Sequence, residues 1–461
     1  MIPRWLFVCR GLVVAACTAA TLAHAEPYSF EAAADRLNAM SDNIAAAQAG
    51  VASKADTAEA TRSLNLPVIS LDAQLMRYQK TVETNALDIE SVSVGGNSFA
   101  IPSSLPNIEG RFTQNSFRPT LTGMLPLYTG GRISAVQQAA RAAVDGANAE
   151  LGATRQAAMV QLVERYFGQQ LAKRVLAIRR DVRDGMQLHL DHAVKLQQAG
   201  MITLAQKLQA QVALDATQRA FDSAQHDLDT ASMALGKLLH TADTALELTS
   251  PLFISIQPLP MRQQFLDDAN SRNPAVLQLE AMQDAARQKV KIEEAASLPT
   301  AYLFGSYNLN PGHALPIEPD WIVGVGVHFP LFSGMDRKRS VSAARNAGAQ
   351  VDATLASART TLSAATHKAW NDVENAREQS VLLESSLTAA HENLRAQELA
   401  FKEGQGTSTD VVDARLLLGQ AQTEQAAAAW LFDVSLARLL DAAGQVNTYA
   451  SYIRKADKVI Q

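Results

Sequence analysis

The sequence contains an internal repeat, in which the second copy lies 204 residues after the first. The segment LPLYTGGR at 125–132 returns as FPLFSGMD at 329–336, so a Pro-Leu-aromatic-hydroxyl-Gly motif occurs at both places. The same displacement relates five further pairs: Gly200 and Gly404, Thr203 and Thr407, Ala210 and Ala414, Leu214 and Leu418, and Leu235 and Leu439. A repeat this long predicts two equivalent structural units in one chain.

The first 25 residues have the pattern of a secretory signal sequence. Arg4 and Arg10 make a basic start, an apolar or small-residue stretch follows at 11–22, and Ala23-His24-Ala25 has the form of a cleavage site. This leader is too short to span a bilayer as a helix. We therefore expect a signal peptide at 1–25, removed by cleavage before Glu26.

Both cysteines of the chain, Cys9 and Cys17, lie in this leader. Cys17 follows Val14-Ala15-Ala16, so a lipoprotein signal processed at Cys17 is the alternative. After ordinary cleavage no thiol remains, which excludes disulfides and thiolate metal sites. Loss of the two leader arginines changes the formal net charge from −5 to −7. A mildly acidic chain of mixed charge is not expected to bind nucleic acid.

Most of the remaining chain has the pattern of very long helices. No proline occurs at 130–198 or at 334–402, and apolar residues of the first run recur at helical spacing: Val160, Val163, Phe167, Leu171, Val175, Ile178 and Val182. Each run ends in a glycine break, and Thr203 or Thr407 then supplies a helix N-cap. The sequence predicts two antiparallel helical hairpins, which alone would also fit a soluble bundle or a coiled-coil stalk.

The segments before each junction motif alternate with a period of two instead. From Trp321 to Phe329, bulky apolar residues alternate with small or polar ones, as in a strand of a membrane barrel. Segment 300–309 is its partner across the turn Asn310-Pro311-Gly312, and 117–125 and 69–75 alternate similarly. We therefore predict four strands of about nine or ten residues, with two soluble hairpins packed on the helices as the alternative.

Four strands cannot close a barrel, and an open sheet edge in lipid leaves backbone groups unpaired. No segment after the leader has about 18 consecutive uncharged apolar residues, so any insertion into a membrane must use these strands. Several chains must then share their strands in one barrel.

The junctions at 126–130 and 330–334, and the tip sequence from Gly404 to Ala414, resemble those of the TolC-type outer membrane efflux channel family. The tip has the glycine turn and a helix start similar to the family's D-V-L-D-A. The resemblance implies a homotrimer with one twelve-stranded outer membrane β-barrel, continued by a periplasmic α-helical barrel. The expected fold class is mainly α with a small β part, a duplicated repeat of strand hairpin plus long antiparallel helical hairpin.

This interpretation divides the chain into eight segments. They are the signal peptide (1–25), an N-terminal helix (26–65), a membrane strand hairpin with a long extracellular loop (66–126), a periplasmic helical hairpin (127–240), a linker and connecting helix (241–297), a second strand hairpin (298–331), a second helical hairpin (332–443) and a C-terminal tail (444–461). The first strand hairpin is longer than the second, and its additional residues lie around 88–111. We expect an extended loop there, with a disordered insertion as the alternative.

The resemblance also implies a function. It is that of a trimeric outer membrane channel, a passive conduit gated at its periplasmic helical tips, which exports small molecules or secreted proteins. The implied partners are a periplasmic adaptor protein, an inner-membrane transporter and outer membrane lipid, with no cofactor. The alternative is a periplasmic coiled-coil structural or adaptor protein without a pore, for which one helical hairpin beside a lipoyl-like β domain would be expected.

Candidate functional residues lie at the tips and junctions. Asp410 and Asp413 share one face of a helix start, and threefold symmetry would repeat them into two carboxylate rings that favour cations. The alternative is that acids in a first helical turn simply complement the helix dipole. The remaining candidates are the tip turns Gly200, Gly404 and Gly406, and the strand-to-helix junctions Pro126, Gly130, Pro330 and Gly334.

One departure from the family concerns the closed tip. An ion pair latches the tip in the best-known member, but the matching positions here are Gly406 and Gln206, so that latch cannot form. Phe401 occupies the position of a tip aromatic that could pack the closed end, although ordinary packing is the alternative.

Enzymatic interpretations find no support in the motifs. His189 and His192 flank Asp191 without a third ligand, and we expect them on a solvated helix face. Asp181, Asp184 and Asp191 lie among arginines and are expected to pair at the surface. No phosphate loop or nucleophile elbow occurs, so the chain is not expected to be an enzyme.

Overall fold

A computed structural model describes residues 28–84, 91–94, 97–100, 108–241, 246–313, 319–332 and 334–460. The predicted signal peptide, including Cys17, lies outside the described residues, as does much of the predicted loop at 88–111.

The nine helices of the described residues are α1 (Phe30–Met40), α2 (Asp42–Arg62), α3 (Arg132–Gln198), α4 (Leu204–Leu238), α5 (Arg262–Arg272), α6 (Pro274–Ala295), α7 (Arg337–Lys402), α8 (Ser408–Ala442) and α9 (Tyr449–Arg454). The strands in the same part of the chain are β1 (Val68–Thr84), β2 (Ser91–Val94), β3 (Asn97–Ala100), β4 (Ile108–Tyr128), β5 (Leu252–Ile254), β6 (Thr300–Asn308), β7 (Trp321–His328) and β8 (Lys458–Ile460).

The two predicted helical hairpins are confirmed. α3 has 67 residues and α7 has 66, and α4 and α8 have 35 residues each. The two bounds of α8 lie 204 positions after those of α4, as the sequence repeat requires. Among the described residues, no helix is both long enough and apolar enough to cross a membrane.

The four predicted strands form one antiparallel sheet in the order β1-β4-β6-β7. The predicted length was wrong for two of them, because β1 has 17 residues and β4 has 21. Their ladder runs on from Leu75 and Phe117 to Thr84 and Ile108, where side chains no longer alternate cleanly. Backbone hydrogen bonds continue there without the side-chain pattern that predicts a strand. A short hairpin of β2 and β3 lies within the predicted loop.

The strand register places apolar residues on one face of the sheet. Leu71 lies opposite Leu121, and Asp72 lies opposite Thr120 on the other face. The polar face also carries Gly324 and Gly326, which lie under the rings of Phe304 and Tyr302. A side chain at either glycine would displace the ring above it, since a Cβ would come within 2.9 Å and 2.6 Å of ring atoms.

The chain divides into two compact units. The first comprises the chain up to Ala45, Ala153–Asn273 and the chain from Leu362. Its core contains seven buried aromatic side chains: Phe30, Tyr166, Phe167, Phe253, Phe265, Phe432 and Tyr449. The hydroxyl of Tyr166 donates to the carbonyl of Tyr28 at 2.8 Å and accepts from the backbone N–H of Ser250 at 3.0 Å.

The segment predicted as a C-terminal tail is part of this core. Tyr449 is buried, with its ring 5.2 Å from that of Phe30, and β8 pairs with β5. Short polar-flanked segments carry no periodicity from which this packing could be foreseen.

The second unit comprises Ala46–Gly152 and Pro274–Thr361. Its helices approach closely at two glycines of α3, since a Cβ at Gly146 would lie 3.6 Å from Ala281 and one at Gly152 would lie 3.4 Å from Pro274. Salt bridges from α7 to α6 add surface contacts: Arg345 to Glu294 and Arg359 to Glu280.

Two segments predicted to contain single helices contain two. In 26–65, Ser41 has extended backbone angles and separates α1 from α2. In 241–297, Asn273 is extended and separates α5 from α6. Asn273 precedes Pro274, and the proline ring disfavours the helical conformation of the residue before it.

Candidate functional site

The two hairpin tips turn through the same backbone geometry. Gly200 and Gly404 have φ of +71° and +74°, a left-handed conformation that favours glycine. In both tips the next residue closes the helix end, with hydrogen bonds of 2.9 Å from Met201 to Leu196 and from Gln405 to Ala400. These are the bonds of a Schellman motif, so the repeat extends to the turns.

Gly406 is a glycine for another reason. A Cβ at this position would lie 3.1 Å from the backbone nitrogen of Phe401. A larger side chain would therefore press on the end of α7. The close turn accounts for the glycine at this position.

Both returning helices begin with a capping box. The Thr407 hydroxyl accepts from the Asp410 backbone N–H at 3.3 Å, and the Asp410 carboxylate accepts from the Thr407 backbone N–H at 2.9 Å. In the first copy, Thr203 and Gln206 make the same two bonds at 3.3 Å and 3.0 Å. The repeat keeps the cap but exchanges a neutral amide for a charge.

Asp410 is exposed, and hydrogen bonds from the Thr407 hydroxyl and backbone lower the pKa of its carboxyl. Both bonds go to Oδ2, and Oδ1 accepts none from the described residues. Asp413, one turn further on, is also exposed. The cap therefore uses one oxygen of Asp410 and retains its charge.

His189 is buried, so its prediction as part of a solvated face was wrong. Its Nε2 lies 2.7 Å from the hydroxyl oxygen of Ser408, and its ring centroid lies 4.8 Å from that of Phe401. The predicted stripe could have located it, because His189 follows the buried Val182 and Met186 at spacings of seven and three.

The surroundings of His189 disfavour its protonation. Burial, followed by the nearby Arg415 and His192, lowers its pKa to about 4, against a smaller opposing effect of Glu398. Arg415 forms an ion pair with Glu398, and its guanidinium covers Gly185. The α3 and α8 helices thus meet through a neutral histidine and a paired arginine.

The surface pairing with arginine predicted for the nearby acids is observed at Asp184, whereas Asp191 bonds to a neutral amide. Asp184 accepts from Arg183 Nε at 2.8 Å, and Asp191 accepts from Gln187 Nε2 at 2.9 Å. The described residues contain no group of three or more His, Cys, Asp or Glu that could hold a metal ion.

The two strand-to-helix junctions differ in the structure although their sequences match. Pro126 lies inside β4 opposite Tyr302, and the strand continues to Tyr128 after a bulge. Gly130 follows with φ +62°, and a Cβ there would lie 2.8 Å from the Cβ of Leu298. The first junction therefore needs glycine for both its conformation and its close contact.

At the second junction β7 already ends at His328, before Pro330. The carbonyl of Pro330 accepts from Arg337 Nη1 at 2.6 Å. Gly334 has open space around it, with no atom within 4 Å of an added Cβ. Among the described residues, nothing packs on the second junction as β6 and Leu298 pack on the first.

This architecture was compared with known proteins. A family model described as "Outer membrane efflux protein" matches residues 33–240 and 265–445. The chain is 25% identical to the protein CyaE of Bordetella pertussis over 257 residues, 54% of each chain. It is 23% identical to the outer membrane protein TolC of Escherichia coli over 297 residues, 61% of this chain and 60% of that protein. The alignments thus span little more than half the length of these two relatives.

The fold is similar to that of a solved channel. The structure of the open state of the MtrE outer membrane channel of Neisseria gonorrhoeae matches with a TM-score of 0.72 at 17% identity, covering 90% of this chain and 89% of that one.

Proposed function

The chain belongs to the outer membrane efflux protein family, and we propose that three copies of it form an export channel with one shared β-barrel. It is located in the outer membrane and extends into the periplasm. The proposed cargo is small molecules or secreted proteins, which pass through a passive conduit.

The sheet is the observation that carries this proposal. Its order leaves one edge of β1 and one edge of β7 without a partner strand in the described chain. One face is apolar and exposed, as at Leu75 and Val327. Backbone groups left unpaired in lipid cost several kcal/mol each, so the two edges require strands from other copies. Three copies of four strands would give the twelve-stranded barrel that the family resemblance implies.

We place the gate of the proposed conduit at the helical tips. Asp410 and Asp413 would line the aperture as carboxylate rings, selecting cations. This role is supported by the exposure of both side chains and by the hydrogen bonds that keep Asp410 ionised. Capping does not compete with it, since Oδ1 of Asp410 stays open.

The proposed partners are a periplasmic adaptor protein and an inner-membrane transporter. A passive conduit needs an external energy source, which the transporter would supply. Exposed apolar side chains at the first tip favour a docking surface there: Met201, Leu204, Leu208 and Val212. Exposed apolar groups that cluster mark interaction surfaces more often than scattered ones do.

Extraction and conductance test the proposal. The full-length protein should require detergent, run as a trimer in native mass measurements and form pores in planar bilayers. A monomer that is soluble without detergent and forms no pores would contradict it and favour the adaptor alternative.

A further inference from the structure

The sequence repeat also governs how the strands pair. In the first hairpin Val68 lies opposite Met124, and in the second Thr300 lies opposite His328. Val68 and Thr300 are 232 positions apart, the displacement that also relates Leu66-Pro67 to Leu298-Pro299. Met124 and His328 are 204 positions apart. The two strand hairpins therefore pair their equivalent residues in the same register.

One seam within the chain joins the two hairpins, and it is the pairing of β4 with β6. In that seam Met124 lies opposite Phe304. The free edges belong to β7, which is the repeat of β4, and to β1, which is the repeat of β6. The residue 204 positions after Met124 is His328, and the residue 232 positions before Phe304 is Asp72. His328 and Asp72 are therefore the repeats of the paired residues Met124 and Phe304.

We propose that β7 of one copy pairs antiparallel with β1 of the next, in the register that places His328 opposite Asp72 of the next copy. This inference rests on the proposed trimer and specifies its seam.

The faces of the sheet agree with this register. It places Val325 opposite Leu75 and Val327 opposite Ala73, so apolar residues meet on the face that is apolar within each chain. It places Gly326 opposite Gln74 on the polar face. A slip of one residue would put polar side chains on the apolar face, since strand side chains alternate.

The end of β7 supports the same seam. In the first copy, residues 125–128 are strand because β6 pairs with them. The matching residues 329–332 lie beyond β7, and Leu331 and Phe332 are 86% and 92% exposed, against 54% and 52% for Leu127 and Tyr128. Pairing with 69–71 of the next copy would extend β7 and cover these side chains.

A second contact repeats at the junction. Leu298 packs against Gly130 within the chain. The repeats of these residues are Leu66, which is 60% exposed, and Gly334, which has open space around it. In the inferred seam, Leu66 of the next copy fills the space over Gly334.

The chemistry of the two seams differs at one position. The pair within the chain is apolar, Met124 and Phe304, whereas the pair between copies is histidine and aspartate. Oδ2 of Asp72 already accepts from the hydroxyls of Ser70 at 3.1 Å and Thr122 at 3.2 Å, while Oδ1 accepts no hydrogen bond from the described residues. Directly opposed residues of antiparallel strands have Cα atoms about 4.5–5.5 Å apart, within reach of an imidazole–carboxylate bond.

Cysteine crosslinking in outer membranes tests the register. Oxidation of the double variant Asp72→Cys, His328→Cys should produce covalent dimers and trimers on non-reducing denaturing gels, at least tenfold above either single variant. Such a distance suits a disulfide. The pair Ala73→Cys, His328→Cys points to opposite faces and should not link. Stronger linking of Gln74→Cys with His328→Cys would overturn the register.

An internal control separates this inference from the proposed function. The double variant Met124→Cys, Phe304→Cys occupies the equivalent seam within one chain and should link without an increase in mass. If it links and native sizing gives a trimer, yet Asp72→Cys with His328→Cys stays unlinked, the inferred seam is wrong. If it links and native sizing gives a monomer, the proposed channel itself fails.

A side-chain exchange tests the pair itself. His328→Asp places two carboxylates opposite each other and should lower the trimer fraction, because like charges directly opposed destabilise a sheet. Adding Asp72→His should restore it. Failure of the exchange to restore the trimer would exclude the pairing of these two side chains.

Discussion

Nε2 of His189 lies 2.7 Å from the hydroxyl oxygen of Ser408, and this bond joins the end of α3 to the first residue of α8. The two residues are 219 positions apart in the sequence, and both are buried. The bond therefore links the two helical hairpins beside their tips.

Removing the hydroxyl should destabilise this contact. Ser408→Ala leaves a buried imidazole nitrogen without a partner, which typically costs about 1–3 kcal/mol. We expect that loss in the free energy of unfolding, measured by urea titration in detergent with the fluorescence of Trp370 and Trp430. Thr409→Ala, at the half-exposed neighbour, is the matched control and should stay close to the parent protein.

His189 should make the protein less stable in acid. Its pKa is about 4 in the folded chain against about 6.5 when unfolded, so the unfolded state binds a proton first. The stabilising contribution is complete above pH 6.5 and is lost as the pH falls towards 4, by roughly 3 kcal/mol in total. His189→Phe should remove this dependence. If His192→Gln, at a half-exposed histidine, removes it equally well, the assignment to His189 is wrong.

Asp433 should make the protein less stable as the pH rises, which is the opposite of the effect of His189. Its carboxyl is fully buried, and neither oxygen has a hydrogen-bond partner of good geometry among the described residues. Burial raises its pKa well above the ordinary value, against smaller effects of the Phe253 backbone and the Tyr449 hydroxyl. Its contribution is complete below about pH 4 and is lost as the pH rises, by about 1.4 kcal/mol per pH unit while only the unfolded state is ionised.

Asp433→Asn should abolish this loss of stability at higher pH. The pH dependence of the unfolding free energy that remains should be that of His189. Between pH 4 and 6.5 the two slopes oppose each other in the parent protein, so unfolding at several pH values in both single variants is needed to separate them. An unchanged pH profile in Asp433→Asn would show that the carboxyl does not titrate as its burial requires.

Gly130→Ala should impair the first strand-to-helix junction. A left-handed conformation costs alanine about 1–2 kcal/mol, and its Cβ would also press on Leu298. We expect a lower yield of folded protein in outer membranes and a lower unfolding temperature. Gly348→Ala is the matched control, because it lies within α7 with open space around it and should be neutral or stabilising. Equal effects of both variants would contradict the role of Gly130.

The carboxylate rings can be tested without removing the helix cap. Asp410→Asn with Asp413→Asn is nearly isosteric, and the asparagine oxygen can still accept from Thr407, as Gln206 accepts from Thr203 in the first copy. We expect planar-bilayer recordings to show loss of cation preference with trimer yield unchanged. Unchanged selectivity would restrict Asp410 to capping.

Much of the fold follows from local patterns in the sequence. The displacement of 204 predicts both helical hairpins, and Thr203 and Thr407 are the N-caps as expected. Alternation predicts the four strands of the sheet and their faces. These features depend on backbone conformation and on which side of an element is apolar, both of which neighbouring residues determine.

Contacts between distant segments were not predictable in this way. Tyr449 and β8 complete a core from a segment without periodicity, and Asp433 is a buried acid in a helix whose sequence gives no sign of it. His189 lies on the predicted stripe, but a histidine there is ambiguous until Ser408 is known to face it.

The sequence by itself determined that this chain is a duplicated strand-and-helix repeat, because the repeat, the glycine turns and the caps are local and occur twice. Only the tertiary structure decided how the two strand-to-helix junctions differ. The two junction motifs share one pattern but fold differently because Leu298 and β6 pack on the first, whereas the second lies beside the edge of β7 that has no partner strand among the described residues. A sequence motif limits the conformations that a segment can adopt, and the neighbour that packs on the segment determines which of them it adopts.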